Sequence, residues 1–255
     1  MRVLVKLGGS LLENLDARAA IAGQLAHLAR DHQVVVVHGG GKQVTRFLEK
    51  EGVKSRFVNG LRVSDSAVIE AVVSIIAGRV NKGLVAALLA ADVPALGISG
   101  IDGQLTRAEE LNPELGFVGR PVSTNGTLLE ILQNAGYVPV VACIAADNEG
   151  TIFNVNADEM AVSCAAAYHA HRLIFLTDVP GVKNGDGQII PNLAFPAAAG
   201  LIRSGVAQGG MRAKLEAAIA AIKLGIPQIY IAPGSEVNIC GRLLAGEPLG
   251  TRISS

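Results

Sequence analysis

Short, continuous apolar runs recur along the chain at residues 3–6, 34–37, 95–98, 138–142, 173–176 and 228–231. They are rich in valine, isoleucine and leucine and show little polar alternation, the pattern of strands covered on both faces. Between several of them lie amphipathic, alanine-rich stretches of helical length, at 16–30, 67–81, 128–135, 157–167 and 211–224. Strands linked by helices predict an α/β fold: an open, mainly parallel central sheet with helices on both faces, in three layers. Ligands of such sheets bind at the carboxyl edge, in the strand-to-helix loops. Four places break the rhythm and read as hairpins suited to lids and specificity walls: 53–63, turning on Asn59-Gly60; Asp102-Gly103; 148–153; and 181–190. A soft boundary at 168–172 divides the chain into two expected lobes, 1–170 and 171–255.

With 255 residues, half of them hydrophobic, the chain has enough material for one large domain or two modest lobes. Lysine plus arginine and aspartate plus glutamate both number 22, so no basic excess recommends a nucleic acid or an anionic membrane as partner. Any positive charge used in function is therefore local. Cys143, Cys164 and Cys240 are scattered and fit buried thiols in a reducing compartment. Lys6 and Gly8-Gly9 interrupt what would be the apolar region of a signal peptide, and no run approaches the roughly 18 apolar residues of a membrane span. A soluble, cytoplasmic protein is expected.

The local charge is found at glycine clusters that close the strand-like runs. Lys6 precedes Gly8-Gly9, His38 precedes Gly39-Gly40-Gly41, and Gly209-Gly210 precedes Lys214 at the start of an expected helix. Glycine lets backbone N–H groups approach a ligand closely, and a helix start adds the positive end of its dipole. The pattern suits several negative charges held together, as in phosphates. The standard nucleotide signatures do not account for it: Gly41-Lys42 is followed by Gln43 rather than serine or threonine, and Val36 stands where a Walker A loop needs glycine. Gly39-x-Gly41 meets Val44 where a dinucleotide fingerprint needs its third glycine.

Asn154, Asn156 and Asp158 alternate just before an expected helix, where Asn156 or Asp158 would cap it. Capping does not explain why Asn154 and Asp158 should sit beside a lysine-bearing edge. Arg62, just past the Asn59-Gly60 turn, is either solvated surface or a planar clamp for a carboxylate. His169 and His171 lack a third ligand at metal spacing, so no metal held by protein side chains is expected. Asp178, near Gly181, reads as part of a nucleotide-contacting loop.

These charges bear on the reaction. A glutamate-type carboxylate, with a pKa near ~4.3, is already ionised at neutral pH and needs no general base. Its obstacle is repulsion by a phosphoryl donor, about 4 kcal/mol for one pair of unit charges at ~4 Å in an effective dielectric of ~20. Two lysines, helix N-termini and Mg²⁺ would offset that repulsion and stabilise the transferring group. A hydroxyl kinase would be expected to show a dedicated base, so Asp158 is better cast as the anion that holds the two lysines.

The chain resembles the acetylglutamate kinase family of the amino-acid kinase superfamily from end to end. The resemblance is carried by Lys6-Leu-Gly-Gly, His38-Gly-Gly-Gly, Asn59-Gly-Leu-Arg-Val, Glu114-Leu-Gly-Phe-Val-Gly119 and Asn154-Val-Asn-Ala-Asp158. It continues through Thr177-Asp-Val-Pro-Gly-Val182, Gly210-Met-x-x-Lys214 and Gly250-Thr-Arg252. It implies ATP-dependent phosphorylation of the side-chain carboxylate of N-acetyl-L-glutamate, a step of arginine biosynthesis. The lobe 1–170 would bind the acceptor and mediate dimerisation, and the lobe 171–255 would bind ATP.

By that resemblance Gly40, Gly41, Arg62, Asn154 and Asn156 bind the acceptor, Arg62 at its α-carboxylate and Asn154 at its acetamido end. Lys6 and Lys214 stabilise the transferring group, with Asp158 organising them. Gly8, Gly9, Thr177, Asp178, Gly181, Val182, Gly209 and Met211 fall where family members hold the nucleotide, and Mg²⁺ rides mainly on the ATP phosphates. Ile101 and Arg212-Ala213 depart from the family pattern. The first strand begins at residue 2, which leaves no room for the extra N-terminal helix of arginine-inhibited members, so an arginine-insensitive homodimer is expected. A nitrogen-signalling partner is possible in the family but not indicated by these residues. The alternatives are a sibling kinase acting on a carrier-linked aminoadipate or another amino acid, and a non-catalytic amino-acid sensor.

Overall fold

The computed structural model describes residues 1–254. From edge to edge, its central sheet runs Asn192–Ala194 (β12), Thr251–Ser254 (β14), Gln228–Pro233 (β13), Arg172–Thr177 (β11), Arg2–Leu7 (β1), Gln33–His38 (β2), Val138–Ala142 (β8) and Ala95–Ser99 (β5). Every pairing in it is parallel except β13–β14. All six strand-like runs form strands here. Their valines, leucines and isoleucines are buried, as continuous apolar runs require, except in the edge strand β5, where Leu96 is exposed and Ile98 half-buried.

The helices are Leu15–Ala29 (α1), Gly41–Lys50 (α2), Ser66–Val72 (α3), Asn81–Ala90 (α4), Gly126–Asn134 (α5), Ala157–Ala167 (α6), Phe195–Arg203 (α7), Gly209–Lys223 (α8) and Ile239–Leu244 (α9). Helix α1 packs with α4 and α9 in one layer, and α8 packs with α6 and α7 in the other. The expected three-layer α/β architecture is therefore present. β1 lies at the middle of the sheet, paired with β2 on one side and β11 on the other.

Two expectations about local structure are corrected. The helix expected over 67–81 does not stop at Asn81. It passes through a π-helical stretch, Val73–Val80, and continues as α4, with Asn81 buried against the sheet. The resulting 25-residue helix, Ser66–Ala90, is long and apolar enough on average to cross a membrane, although Glu70, Arg79 and Lys82 interrupt it and leave no continuous run of 18 apolar residues. It packs on the sheet beside β5 and β8, with Val72, Val80, Leu84 and Leu88 in the core. Asp102-Gly103 is not a hairpin. Asp102 Oδ2 accepts hydrogen bonds from Ser99 N (2.6 Å) and Ser99 Oγ (2.7 Å), and this tight turn redirects the chain after β5.

The other hairpins are present. Phe57–Val58 (β3) and Leu61–Arg62 (β4) pair across Asn59 and Gly60, both at positive φ. The segment 181–190 closes on a single Lys183–Ile189 bridge. Ile144–Ala146 (β9) and Ile152–Val155 (β10) form the hairpin around 148–153 and join Thr106–Glu110 (β6) and Val118–Thr124 (β7) in a small closed ring. Polar residues throughout β6 and Pro121 in β7 hide this ring from a search for apolar runs.

Candidate active site at the carboxyl edge

Three charged side chains from distant parts of the chain meet at the centre of the sheet edge. Lys6 comes from β1, Asp158 from the first turn of α6 and Lys214 from the first turns of α8. Lys6 Nζ lies 2.7 Å from Asp158 Oδ1, and Lys214 Nζ donates a hydrogen bond to Asp158 Oδ2 at 3.1 Å. The Lys6 contact is a close ion pair, and Oδ1 has no partner in hydrogen-bonding geometry among the described residues. The side chains of Lys6 and Asp158 are each 8% exposed and that of Lys214 15%.

The electrostatics follow from two cations sharing one anion. Burial alone would raise the Asp158 carboxyl, but Lys6 and Lys214 outweigh it and hold the group below its ordinary range. Lys214 moves the same way for a different reason: burial and the Lys6 charge lower it, and Asp158, followed by Asp178, offsets them only in part. The buried carboxylate sees two close cations, whereas Lys214 shares its one close anion with Lys6 and gains only a further contribution from exposed Asp178. The cluster therefore holds one uncompensated positive charge out of water, and an incoming anion would relieve it.

Asn156 is the helix cap. Its Oδ1 accepts from Asp158 N (2.8 Å) and Glu159 N (3.3 Å), which leaves the Asp158 carboxylate free to face the lysines. Of the two candidate caps, Asn156 does the capping. Helix α8 differs: its N-cap residue, Gln208, makes no side-chain hydrogen bond to the first turn. Its opening N–H groups, from Gly209 onward, thus add the positive end of a helix dipole near Lys214.

Beside the lysines lies a cavity of about 170 Å³, lined by Gly40, Gly41, Arg62, Asn154 and Asn156 among others. All five expected acceptor residues are brought together there, from β10, α2, the β3–β4 hairpin and the loops between them. Gly40 sits close against the long helix: a Cβ there would lie 3.1 Å from Ile76 Cγ1, so a side chain would need Ile76 to give by a few tenths of an ångström. Arg62 is buried and held: Nη2 donates to Gly41 O (2.8 Å) and Thr45 Oγ1 (2.7 Å), Nη1 donates to Ser55, and the guanidinium lies 4.7 Å from the Phe57 ring centroid. Asn154 Nδ2 makes only a long contact, 3.4 Å, to Ser64 Oγ.

Sequence reasoning missed Thr45, Phe57 and Cys143. Nothing in a linear pattern marks Thr45 or Phe57 as supports of an arginine. Cys143 follows an apolar strand and faces the cavity, close enough to Lys6 and Asp158 to feel their charges; burial pushes its thiol up to about 12, so it stays protonated. Larger concavities, of about 580 Å³ and 420 Å³, lie elsewhere and are lined by none of the expected binding residues. Convergence of motifs, rather than size, marks the site.

The residues expected at the nucleotide lie across the lysines, on the other half of the sheet. Gly8 N donates to Leu176 O (3.0 Å), tying the Gly8-Gly9 loop to the end of β11, where Thr177 and Asp178 follow. Thr177, Gly181 and Val182 are buried, and Val182 N donates to Thr251 Oγ1 at 2.8 Å. Asp178 and Gly209 are exposed and Met211 is half-buried. Arg212 pairs with Glu216 on the outer face of α8, and Ile101 is exposed, away from the lysines. Among the described residues, no three His, Cys, Asp or Glu side chains cluster closely enough to hold a metal ion.

Residues 1–233 match the model of the amino acid kinase family. The chain is 51% identical to an acetylglutamate kinase of Solibacter usitatus over 254 residues, covering 99% of both proteins. It is 44% identical to an acetylglutamate kinase of Acidobacterium capsulatum over 242 residues, covering 94% of this chain and 93% of that one. An N-acetylglutamate synthase of Neisseria gonorrhoeae, solved with coenzyme A and N-acetyl-glutamate, shares the fold with a TM-score of 0.86 at 24% identity. That match covers 99% of this chain, which spans 59% of the synthase chain. A carbamate kinase from Giardia shares the fold with a TM-score of 0.73 at 14% identity, covering 99% of this chain and 98% of that one.

Proposed function

The chain belongs to the amino acid kinase family, among its acetylglutamate kinases, and from that premise we propose that Lys6, Asp158 and Lys214 are its catalytic centre. The enzyme is a phosphotransferase with a carboxyl acceptor: it converts N-acetyl-L-glutamate and ATP to N-acetyl-L-glutamyl 5-phosphate and ADP, the second step of arginine biosynthesis. The observation that carries the residue assignment is the single carboxylate shared by two buried ammonium groups.

The acceptor carboxylate is ionised at neutral pH and attacks the γ-phosphorus in line, so no side chain has to remove a proton. What the protein supplies is charge. Lys6 lies on the acceptor side and Lys214 on the nucleotide side, so the equatorial oxygens of the transferring group would lie between two cations fixed in advance. Asp158 holds both ammonium groups without neutralising both. Mg²⁺ would travel on the ATP phosphates and screen their charge.

In this reading residues 1–170 are the acceptor half and 171–255 the nucleotide half. Arg62, pinned against Gly41 and Thr45, keeps part of its donor fork for the α-carboxylate of the acceptor. Gly40 and Gly41, at the start of α2, line the pocket with backbone, and the Asn154 and Asn156 amides offer donors to the acetamido group. Gly8, Gly9, Asp178, Gly209 and Met211 face the nucleotide, while Thr177, Gly181 and Val182 shape its loop. The protein acts in the cytoplasm, a reading supported by three buried free thiols, and as a homodimer, supported by exposed Leu89 and Leu96 beside β5, the last strand of the sheet. Light scattering on purified protein tests the dimer.

ADP release with ATP, Mg²⁺ and a panel of N-acetyl-L-glutamate, glutamate, aspartate and aminoadipate tests the acceptor assignment. Turnover should be confined largely to the acetylated acceptor, and equal turnover on glutamate would sink it.

A further inference from the structure

We propose that His38 and Asn81 form a buried positioning pair that fixes the Gly39–Gly41 wall of the acceptor cavity. This rests on reading the 170 Å³ cavity as the acceptor site. His38 ends β2 and is fully buried. Its Nδ1 lies 2.9 Å from Gly39 O, and its Nε2 lies 3.0 Å from Asn81 Nδ2. A carbonyl only accepts, so Nδ1 carries the proton and Nε2 accepts from the Asn81 amide. The second hydrogen of that amide goes to Val140 O at 2.9 Å, with Ile98 O further away at 3.4 Å. One asparagine thus ties the long helix to the carboxyl edges of β2, β5 and β8, and one histidine passes that constraint to the first glycine of the loop.

Two further observations set this pair apart from ordinary packing. Asn81 Oδ1 is buried with no hydrogen-bond partner among the described residues, a standing cost that an apolar residue would remove. Gly97 makes the arrangement sterically possible, since a Cβ there would lie 2.0 Å from Asn81 Oδ1. The second observation is the winding of the helix. Val73–Val80 is π-helical, and Ile76 and Val80 from this stretch lie against Gly40. Each residue by which a segment departs from α winding rotates everything after it by about 100°. The π stretch therefore decides that Asn81, the next residue, faces His38.

Steady-state kinetics on Asn81→Ala, His38→Asn, Gly97→Ala and Arg62→Lys, varying both substrates, test the pair. Asn81→Ala should raise KM for N-acetyl-L-glutamate about tenfold while KM for ATP stays within about twofold. Gly97→Ala, whose Cβ would press hardest on Asn81 Oδ1 and also on Lys82 Nζ and Val85 Cγ2, should move the same constant. His38→Asn keeps an amide donor near the Nδ1 position and should recover most of the affinity. Should Asn81→Ala fail to fold, Gly97→Ala carries the same test. The inference is overturned if Asn81→Ala or Gly97→Ala leaves the acceptor KM unchanged, or moves both KM values together with a fall in Tm, the mark of a merely structural role. Arg62→Lys separates the two levels. A raised acceptor KM there with none in the other variants overturns the pair alone, and no change in any variant overturns the cavity reading with it.

Discussion

The two sides of the lysine bridge are built from different materials. The side proposed for the acceptor is a walled cavity in which Arg62 is buried and fixed by Gly41, Thr45, Ser55 and Phe57. The nucleotide side is a more open edge, where Asp178 and Gly209 are exposed and α8 begins without a side-chain cap. A small acceptor that must be told apart from close relatives needs side chains held from several directions. A triphosphate can be gripped by backbone N–H groups and dipoles, which ask for little beyond glycine and a helix start. The bridge belongs to neither side: β1 and α6 contribute two of its members and α8 the third.

The comparison yields a graded set of expected effects. The largest is at the shared anion. Asp158→Asn leaves two buried ammonium groups without their carboxylate and should cost about 3–5 kcal/mol of stability, read by chemical denaturation. The sign of its pH dependence follows from the lowered pKa of Asp158. Its stabilisation is fully present above the unfolded-state value, about 3.9, and is lost as pH falls through the folded value. The gap between wild type and variant should therefore narrow in acid; a gap that stays constant across the acid range would contradict the assignment.

Next comes the ammonium that spans the two sides. Lys214→Met keeps the apolar stem and should lower kcat by about 10²–10³-fold, roughly 2.7–4 kcal/mol, with smaller changes in either KM. A variant with near-normal kcat would remove Lys214 from the chemistry. On the acceptor side alone, Arg62→Lys replaces a fork by a point charge and should cost about 1.5–3 kcal/mol, seen as a raised KM for N-acetyl-L-glutamate. On the nucleotide side alone, Gly209→Ala forces a side chain into a left-handed backbone (φ 50°) at a cost of about 1–2 kcal/mol, which should appear in KM for ATP. If either single-side variant moves both Michaelis constants equally, the two sides are not separate.

The same contrast governs what could be read from the sequence. The central strands were legible because they are buried on both faces and leave uninterrupted apolar runs, and the glycine–lysine motifs were legible because their chemistry is local. In the small ring the β9–β10 hairpin was legible from its turn, whereas polar β6 and Pro121 in β7 hid the other two strands. The expected helix ended at 81, and its continuation shows only in the structure, where Asn81 is bonded to His38 and Val140. At the site, Lys6, Asp158 and Lys214 meet, and Gly40, Gly41, Arg62, Asn154 and Asn156 line one cavity. Thr45, Phe57 and Cys143 act through distance in space rather than spacing in the chain, and no periodicity reports that.

The account stands most directly on the product. A single turnover of enzyme with ATP and N-acetyl-L-glutamate in the presence of hydroxylamine traps an acyl phosphate as its hydroxamate. The expected result is one hydroxamate of N-acetylglutamate formed for each ADP released. ADP and inorganic phosphate appearing without hydroxamate would show that the two lysines do not deliver the phosphoryl group to a carboxylate.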